Sequence, residues 1–377
     1  MRGSLVRPPL RVWVWIAATL ALVVVAALLW RGSDAAATES TTAAPADVPA
    51  GAPAGAVSEA WSAGGDPLPG DVVADGRVLL GSEHGVRALD PLTGDEAWHY
   101  TRSNARLCGL TVTDGVAVAV FRTADRCDEA VALDAGTGVR VWTRNLDLRG
   151  DAVLTSTAAI VLASSPTGVL TLDPLGNNVR WRAAAPGGCR WLSAAAGSAG
   201  VAVVQRCAGA EAVQLRLFDG FEGAEHWTVD VPAPEDAEVA LLGADSLVGV
   251  RIDGEVQLYA PDGGALRAGL QVAPQDTAAQ TEAAGLVLVH TGSTVTALDP
   301  FSGLTRWTAP AAGLPVAAPA DAAEVVVPAA EGFVRLDPLT GAELGRWAAA
   351  GVPGGGSAGV VGPAVVLRLA DEVRAYR

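Results

Sequence analysis

The chain has 377 residues, half of them hydrophobic and 18% charged, which allows a large core and excludes global disorder. Its formal charge of −15 disfavours a sequence-independent grip on nucleic acid, which needs a basic face to displace counterions. Every basic side chain apart from histidine is Arg, so a Walker phosphate loop, a Schiff-base lysine and a Ser–Lys dyad are all excluded.

The first element in chain order is a run of nineteen apolar or small residues at 12–30, VWVWIAATLALVVVAALLW. At about 1.5 Å per residue it spans roughly 28 Å, close to the hydrocarbon thickness of a bilayer. Trp13, Trp15 and Trp30 lie near its ends, where indoles favour the headgroup boundary. Arg2, Arg7 and Arg11 precede the run and Arg31 alone follows it at once, so the positive-inside rule makes 1–11 a cytoplasmic tail and exports the rest. The competing reading is a long secretory signal cleaved near Ala35-Ala36-Ala37, which exports the same residues. No Cys lies near the run, which excludes lipoprotein processing.

Residues 31–56 are Ala, Thr, Pro, Gly and acidic residues without apolar periodicity, and are expected to form a flexible tether. From residue 57 onward the sequence repeats itself. ALDPLTGDEAW at 88–98, ALDAGTGVRVW at 132–142 and ALDPFSGLTRW at 297–307 are near copies of one another. TLDPLGNNVRW at 171–181, LFDGFEGAEHW at 217–227 and RLDPLTGAELGRW at 335–347 depart further. LYAPDGGALRA at 258–268 has lost both the Asp and the Trp. The terminal positions are Trp61, Trp98, Trp142, Trp181, Trp227, Ala268, Trp307 and Trp347, spaced 37–46 residues apart. That is the size of a propeller blade, and the amphipathic runs that helical repeats need are missing.

Each unit carries its own local logic. Two short Val/Leu runs meet at a small polar turn, as in GRVLLGS–EHGVRALD (76–90), which marks a hairpin. Asp-Pro-x-Thr-Gly makes the next turn: Pro presets φ, the carboxylate accepts backbone N–H groups ahead of it, and Gly closes the loop. The following strand ends in Trp, wide enough to cover a seam between sheets. DEVRAYR at 371–377 matches a third strand and then stops, while VSEAWSA at 57–63 supplies a Trp strand without its predecessors. The fold class expected is therefore all-β: an eight-bladed propeller of four-stranded antiparallel blades over 57–377, its last blade shared by the two termini and preceded by one transmembrane helix.

Ala88, Asp90, Thr93, Gly94 and Trp98, and likewise Ala132, Asp134, Thr137, Gly138 and Trp142, fill the pattern A-x-D-x-x-T-G-x-x-x-W. The chain thus resembles the pyrroloquinoline-quinone-like (PQQ-like) propeller repeat family with its tryptophan-docking motif. The resemblance implies a docking role for Trp61, Trp98, Trp142, Trp181, Trp227, Trp307 and Trp347. The family spans quinoprotein dehydrogenases, the propeller lipoprotein of the outer-membrane β-barrel assembly machinery, and ligand-sensing ectodomains, so it implies fold more sharply than function.

Four cysteines at 108, 127, 189 and 207 fall in two local pairs, expected as disulfides 108–127 and 189–207 in an oxidising exterior. The reading places them at equivalent positions in blades two and four. There they staple enlarged loops (around 122–129 and 205–211) to the inner strand, for roughly 3 kcal/mol each. Four unpaired thiols are the alternative; zinc is disfavoured because no C-x-x-C or His pair is present. His84, His99, His226 and His290 are scattered and read as solvated, and the recurring Asp residues read as turn formers. Trp191, outside the docking register, is the one aromatic that could line a surface site or else contact the neighbouring disulfide.

The function expected is a non-catalytic scaffold, monomeric, anchored in the plasma membrane of a bacterial cell envelope, engaging a protein or envelope ligand and holding no cofactor or metal. The alternative is a PQQ-dependent oxidoreductase. Large pocket-building insertions and the adjacent Cys-Cys pair common in those enzymes are absent from the sequence.

Overall fold

Runs such as VAVAVFRT (Val116–Thr123) cannot alternate apolar and polar residues, because both of their faces are covered. Outer strands such as EHWTVDVP (Glu225–Pro232) do alternate, with Trp227 and Val231 on the buried side. Repeated around the chain, this gradient builds the eight four-stranded antiparallel blades of a propeller. The computed structural model describes residues 9–377 except 124, 147, 149 and 150. Arg2 and Arg7, used above for orientation, lie outside the described residues.

Each seam between neighbouring blades holds its own apolar cluster. Trp98 and Leu79 of blade one pack with Leu110 and Val131 of blade two, and equivalent clusters follow around the ring. Closure is by the termini. Glu59–Gly64 pairs antiparallel with Glu372–Tyr376, with Trp61 opposite Ala375 and Ser62 opposite Arg374, as the outer strand of blade eight.

Blade seven departs locally from the four-strand plan. Its own sheet is Val325–Ala329, Gly332–Leu336 and Glu343–Ala348. The inner run Leu314–Pro315 instead lies parallel to Ser357–Val361 of blade eight. A few residues later Ala318 donates its N–H to the Glu282 carbonyl of blade six. Pro315 and Pro319 lack the N–H groups a regular inner strand would need, so the run spans two neighbours at the hub.

The helix Leu10–Arg31 is wholly exposed, and its length and mean hydropathy of 2.6 are enough to cross a membrane. The segment after it is not the free tether its composition suggests. Thr38–Ser40 adds a fifth strand to blade one, Thr38 opposite Arg102 and Ser40 opposite Tyr100. Thr41 then donates to the His99 carbonyl and Ala43 to the Thr137 carbonyl in blade two. Further along, Gly362 in blade eight lies so close to the Pro49 carbonyl that a Cβ would collide with it. Strand addition uses backbone groups alone, so a sequence with no apolar face can still dock. Asp34 and Glu129 flank the buried Arg102 guanidinium at 2.9 and 2.8 Å, tying this segment to blades one and two.

Candidate functional site

The turn that joins the third and outer strands of each blade recurs almost unchanged. Asp90, Asp173, Asp219, Asp299 and Asp337 each accept, through Oδ1, the backbone N–H groups two and three residues ahead, at 2.7–3.1 Å. Asp134 accepts from the Thr137 N–H and hydroxyl. These bonds hold the Asp173, Asp219, Asp299 and Asp337 carboxyls below the usual carboxylate range, with Arg306 adding to the effect at Asp299. The carboxylates are spent on the turn and none faces another as an acid–base pair would.

The tryptophans reach across to these turns. Trp61, Trp142, Trp227 and Trp307 donate Nε1–H to the carbonyls of Pro91, Pro174, Pro261 and Pro338 in the next blade, at 2.7–3.1 Å. Trp98 and Trp181 donate in the same way to Ala135 and Gly220 at 3.0 Å. Their rings lie against the turn glycine: a Cβ on Gly94, Gly138, Gly223 or Gly341 would sit 2.6–2.7 Å from indole atoms. In blade three, Asn177 takes the glycine's place at φ 53°. Trp347 lies in the seam of blades seven and eight beside Val57, with the Arg335 guanidinium 5.3 Å from its ring. Ala268 leaves the seam between blades five and six without an indole.

Both local cysteine pairs form disulfides, but at inequivalent positions. Cys108 joins the inner strand of blade two to Cys127 on its third strand, with Cα atoms 6.0 Å apart. Cys189 joins Cys207 directly opposite it on the neighbouring strand of blade four, at 3.9 Å. The extra residues of blade four lengthen its strands to eight and nine residues instead of enlarging a loop. Blade two likewise has strands of eight and nine residues. Trp191 is buried, donates to Gln205 Oε1 at 2.9 Å and packs beside Ile160 and Val169, so it lines no surface. His290 is buried as well, not solvated: its Nε2 bonds the Ala311 carbonyl at 3.2 Å and burial lowers its pKa. His84 and His226 are exposed and His99 is half-buried; the four do not meet.

Two features of one face escape the sequence reading. The mouth of the central channel is a cavity of about 780 Å³ lined mainly by Ala, Gly, Ser and Thr, with Asp71, Asp114, Asp219, Asp245 and Glu282 and with Phe221 and Ile160. Confinement by the channel walls pushes the Asp71 and Asp245 carboxyls up, and Glu282 adds to this at Asp245. Around the mouth, the residue two after the Asp points to solvent in four of the six Asp turns: Leu175, Phe221, Phe301 and Leu339 are 54%, 50%, 86% and 78% exposed. The signal for them was the Leu or Phe inside these four Asp turns, an apolar residue where a turn normally carries a polar one.

The family described as "Outer membrane protein assembly factor BamB" matches residues 28–206 and 126–280. The chain belongs to this PQQ-like propeller repeat family. BamB from Moraxella catarrhalis is 18% identical, with a TM-score of 0.47 covering 85% of this chain and 97% of that one. The designed protein Ika8 is 16% identical, with a TM-score of 0.54 over 82% and 98%. Quinohemoprotein alcohol dehydrogenase from Comamonas testosteroni is 12% identical, with a TM-score of 0.50 over 85% and 76%. At these identities the likeness is one of fold. No curated protein matches the chain.

The family name raises the question of PQQ itself. That quinone is flat and carries three carboxylates. The channel mouth offers no Arg and no Trp among its lining residues, and presents five acidic side chains instead, Asp71, Asp114, Asp219, Asp245 and Glu282. An anionic ring would meet like charge with no guanidinium to offset it, and Phe221 at the edge is the one aromatic among the lining residues, so these residues do not fit it.

Proposed function

We propose that this BamB-family chain is a non-catalytic binding propeller of the cell envelope, held to the membrane by its N-terminal helix and presenting one face to a protein partner. The observation that carries the reading is the pairing of a family match over residues 28–280 with a face of exposed turn side chains, Leu175, Phe221, Phe301 and Leu339, around an acidic channel mouth. Apolar anchors set among charged groups are what a protein interface uses. Retention of the helix Leu10–Arg31 as an anchor, with the propeller outside and monomeric, is part of the proposal. The docked segment 34–49 then places blade one within a few residues of the bilayer, because Asp34 follows the helix end at Arg31.

Photo-crosslinking residues placed at Phe221, Phe301 and Leu339 in native membranes are expected to give one discrete product. The same residue at Glu83, on the opposite side of blade one, is expected to give none. Equal products from both sides would contradict the reading. The likeness to a quinohemoprotein dehydrogenase keeps an oxidoreductase as the second reading. It requires that added PQQ and calcium bind stoichiometrically and support dye reduction, and the channel residues lead us to expect neither.

A further inference from the structure

Blade four has a cavity of about 890 Å³ at the rim where its inner strand begins, far from the channel mouth and beside the Cys189–Cys207 disulfide. Arg206 lines it and is 7% exposed. Its Nη1 donates to the Ala233 carbonyl at 3.2 Å, but its Nη2 has no hydrogen-bond partner. A buried guanidinium nitrogen left unpaired is costly, and such a group calls for an acceptor.

Directly across the strand pair stands Arg190, exposed, lining the same cavity and making no hydrogen bond or ion pair among the described residues. Like charges at directly opposite positions repel, and here the adjacent disulfide locks the register that brings them together. Two guanidinium groups with open donors at one cavity make a receptor for an oxyanion.

We propose that this cavity binds a carboxylate supplied by a partner polypeptide, gripped between Arg190 and Arg206. Glu211 and Glu235 also line the cavity, so a singly charged carboxylate is accepted where a doubly charged phosphate is repelled. The assignment rests on the reading of the chain as a binding propeller and names one contact of it. It is tested with small probes, so its outcome is separate from that of the crosslinking.

The full chain in detergent micelles is titrated calorimetrically with N-acetylglycine, with N-acetylglycinamide and with inorganic phosphate. Saturable binding of the acid is expected, with the amide weaker by about tenfold or more and phosphate weaker than the acid. Arg190→Ala should weaken the acid by about tenfold while leaving the unfolding temperature unchanged or raised, since it removes a repulsion. Arg206→Gln should abolish binding, and the exposed Arg190 variant decides the matter if that one fails to fold. No saturation by the acid, equal binding of acid and amide, tighter binding of phosphate, or unaltered affinity in Arg190→Ala would each overturn the proposal.

Discussion

Trp98 is fully buried in the seam between blades one and two, and its indole N–H is satisfied by the Ala135 carbonyl. Trp98→Ala should cost about 3–5 kcal/mol in denaturant unfolding, from lost contact and the cavity left behind. Trp98→Phe should cost less, keeping most of the ring contact while leaving the carbonyl of Ala135 unpaired. The turn carboxylates act through charge instead. Asp173, Asp219, Asp299 and Asp337 have folded pKa values below their ordinary ones, so each contributes stability that is complete above about pH 4 and lost as the pH falls through the folded value. Asp299→Asn should therefore lower the unfolding temperature at neutral pH, with the gap to the parent closing below about pH 4. Asp245 has the opposite sign: its raised pKa favours the protonated folded form, and that contribution disappears as the pH rises through the raised value. Asp245→Asn should raise the unfolding temperature at neutral pH and give no gain in acid; a loss at neutral pH would contradict this.

At the scale of strands and seams, the repeat made the blades legible but not their exceptions. The position of Ala268 announced a worn unit, and its turn nevertheless survives: the Ala260 N–H still bonds the Ala265 carbonyl and Gly264 keeps φ at 67°. What is lost is the indole in the seam. Hydrogen exchange is expected to show the fastest seam opening at Leu266–Gln271 against Thr294–Leu298, because apolar packing there lacks its largest side chain. The cysteine spacing gave the right partners, yet not the geometry, since separations of 19 and 18 residues look alike whether a bridge skips a strand or joins adjacent ones. The docking of 34–49 was hidden for a different reason: its hydrogen bonds are made by backbone atoms, which composition does not report. Asp34→Ala should loosen it, leaving Arg102 with Glu129 and Asn104 alone and making residues 38–49 susceptible to limited proteolysis.

For the whole molecule, residues far apart in sequence decide where function can sit. The pairing of 59–64 with 372–376 joins the first and last blade strands in one sheet, so the ring closes and its faces, rim and channel remain to bind. That closure was readable from a third strand lacking its Trp at one end and a Trp strand lacking its partners at the other. The acidic channel mouth was not, because Asp71, Asp245 and Glu282 belong to three different blades and meet only once the ring is formed. The Arg190–Arg206 pair was hidden too, since cross-strand register is fixed by a bulge at 191–193 that the sequence does not mark.

The most direct test of this arrangement is to introduce cysteines at Ser62 and Arg374, which face each other across the closing strand pair. A ring sealed in this way predicts that Ser62→Cys with Arg374→Cys forms a third disulfide in air, seen as a crosslinked peptide by mass spectrometry, and raises the unfolding temperature. Two free thiols in the folded protein, or a crosslink between different molecules only, would contradict it.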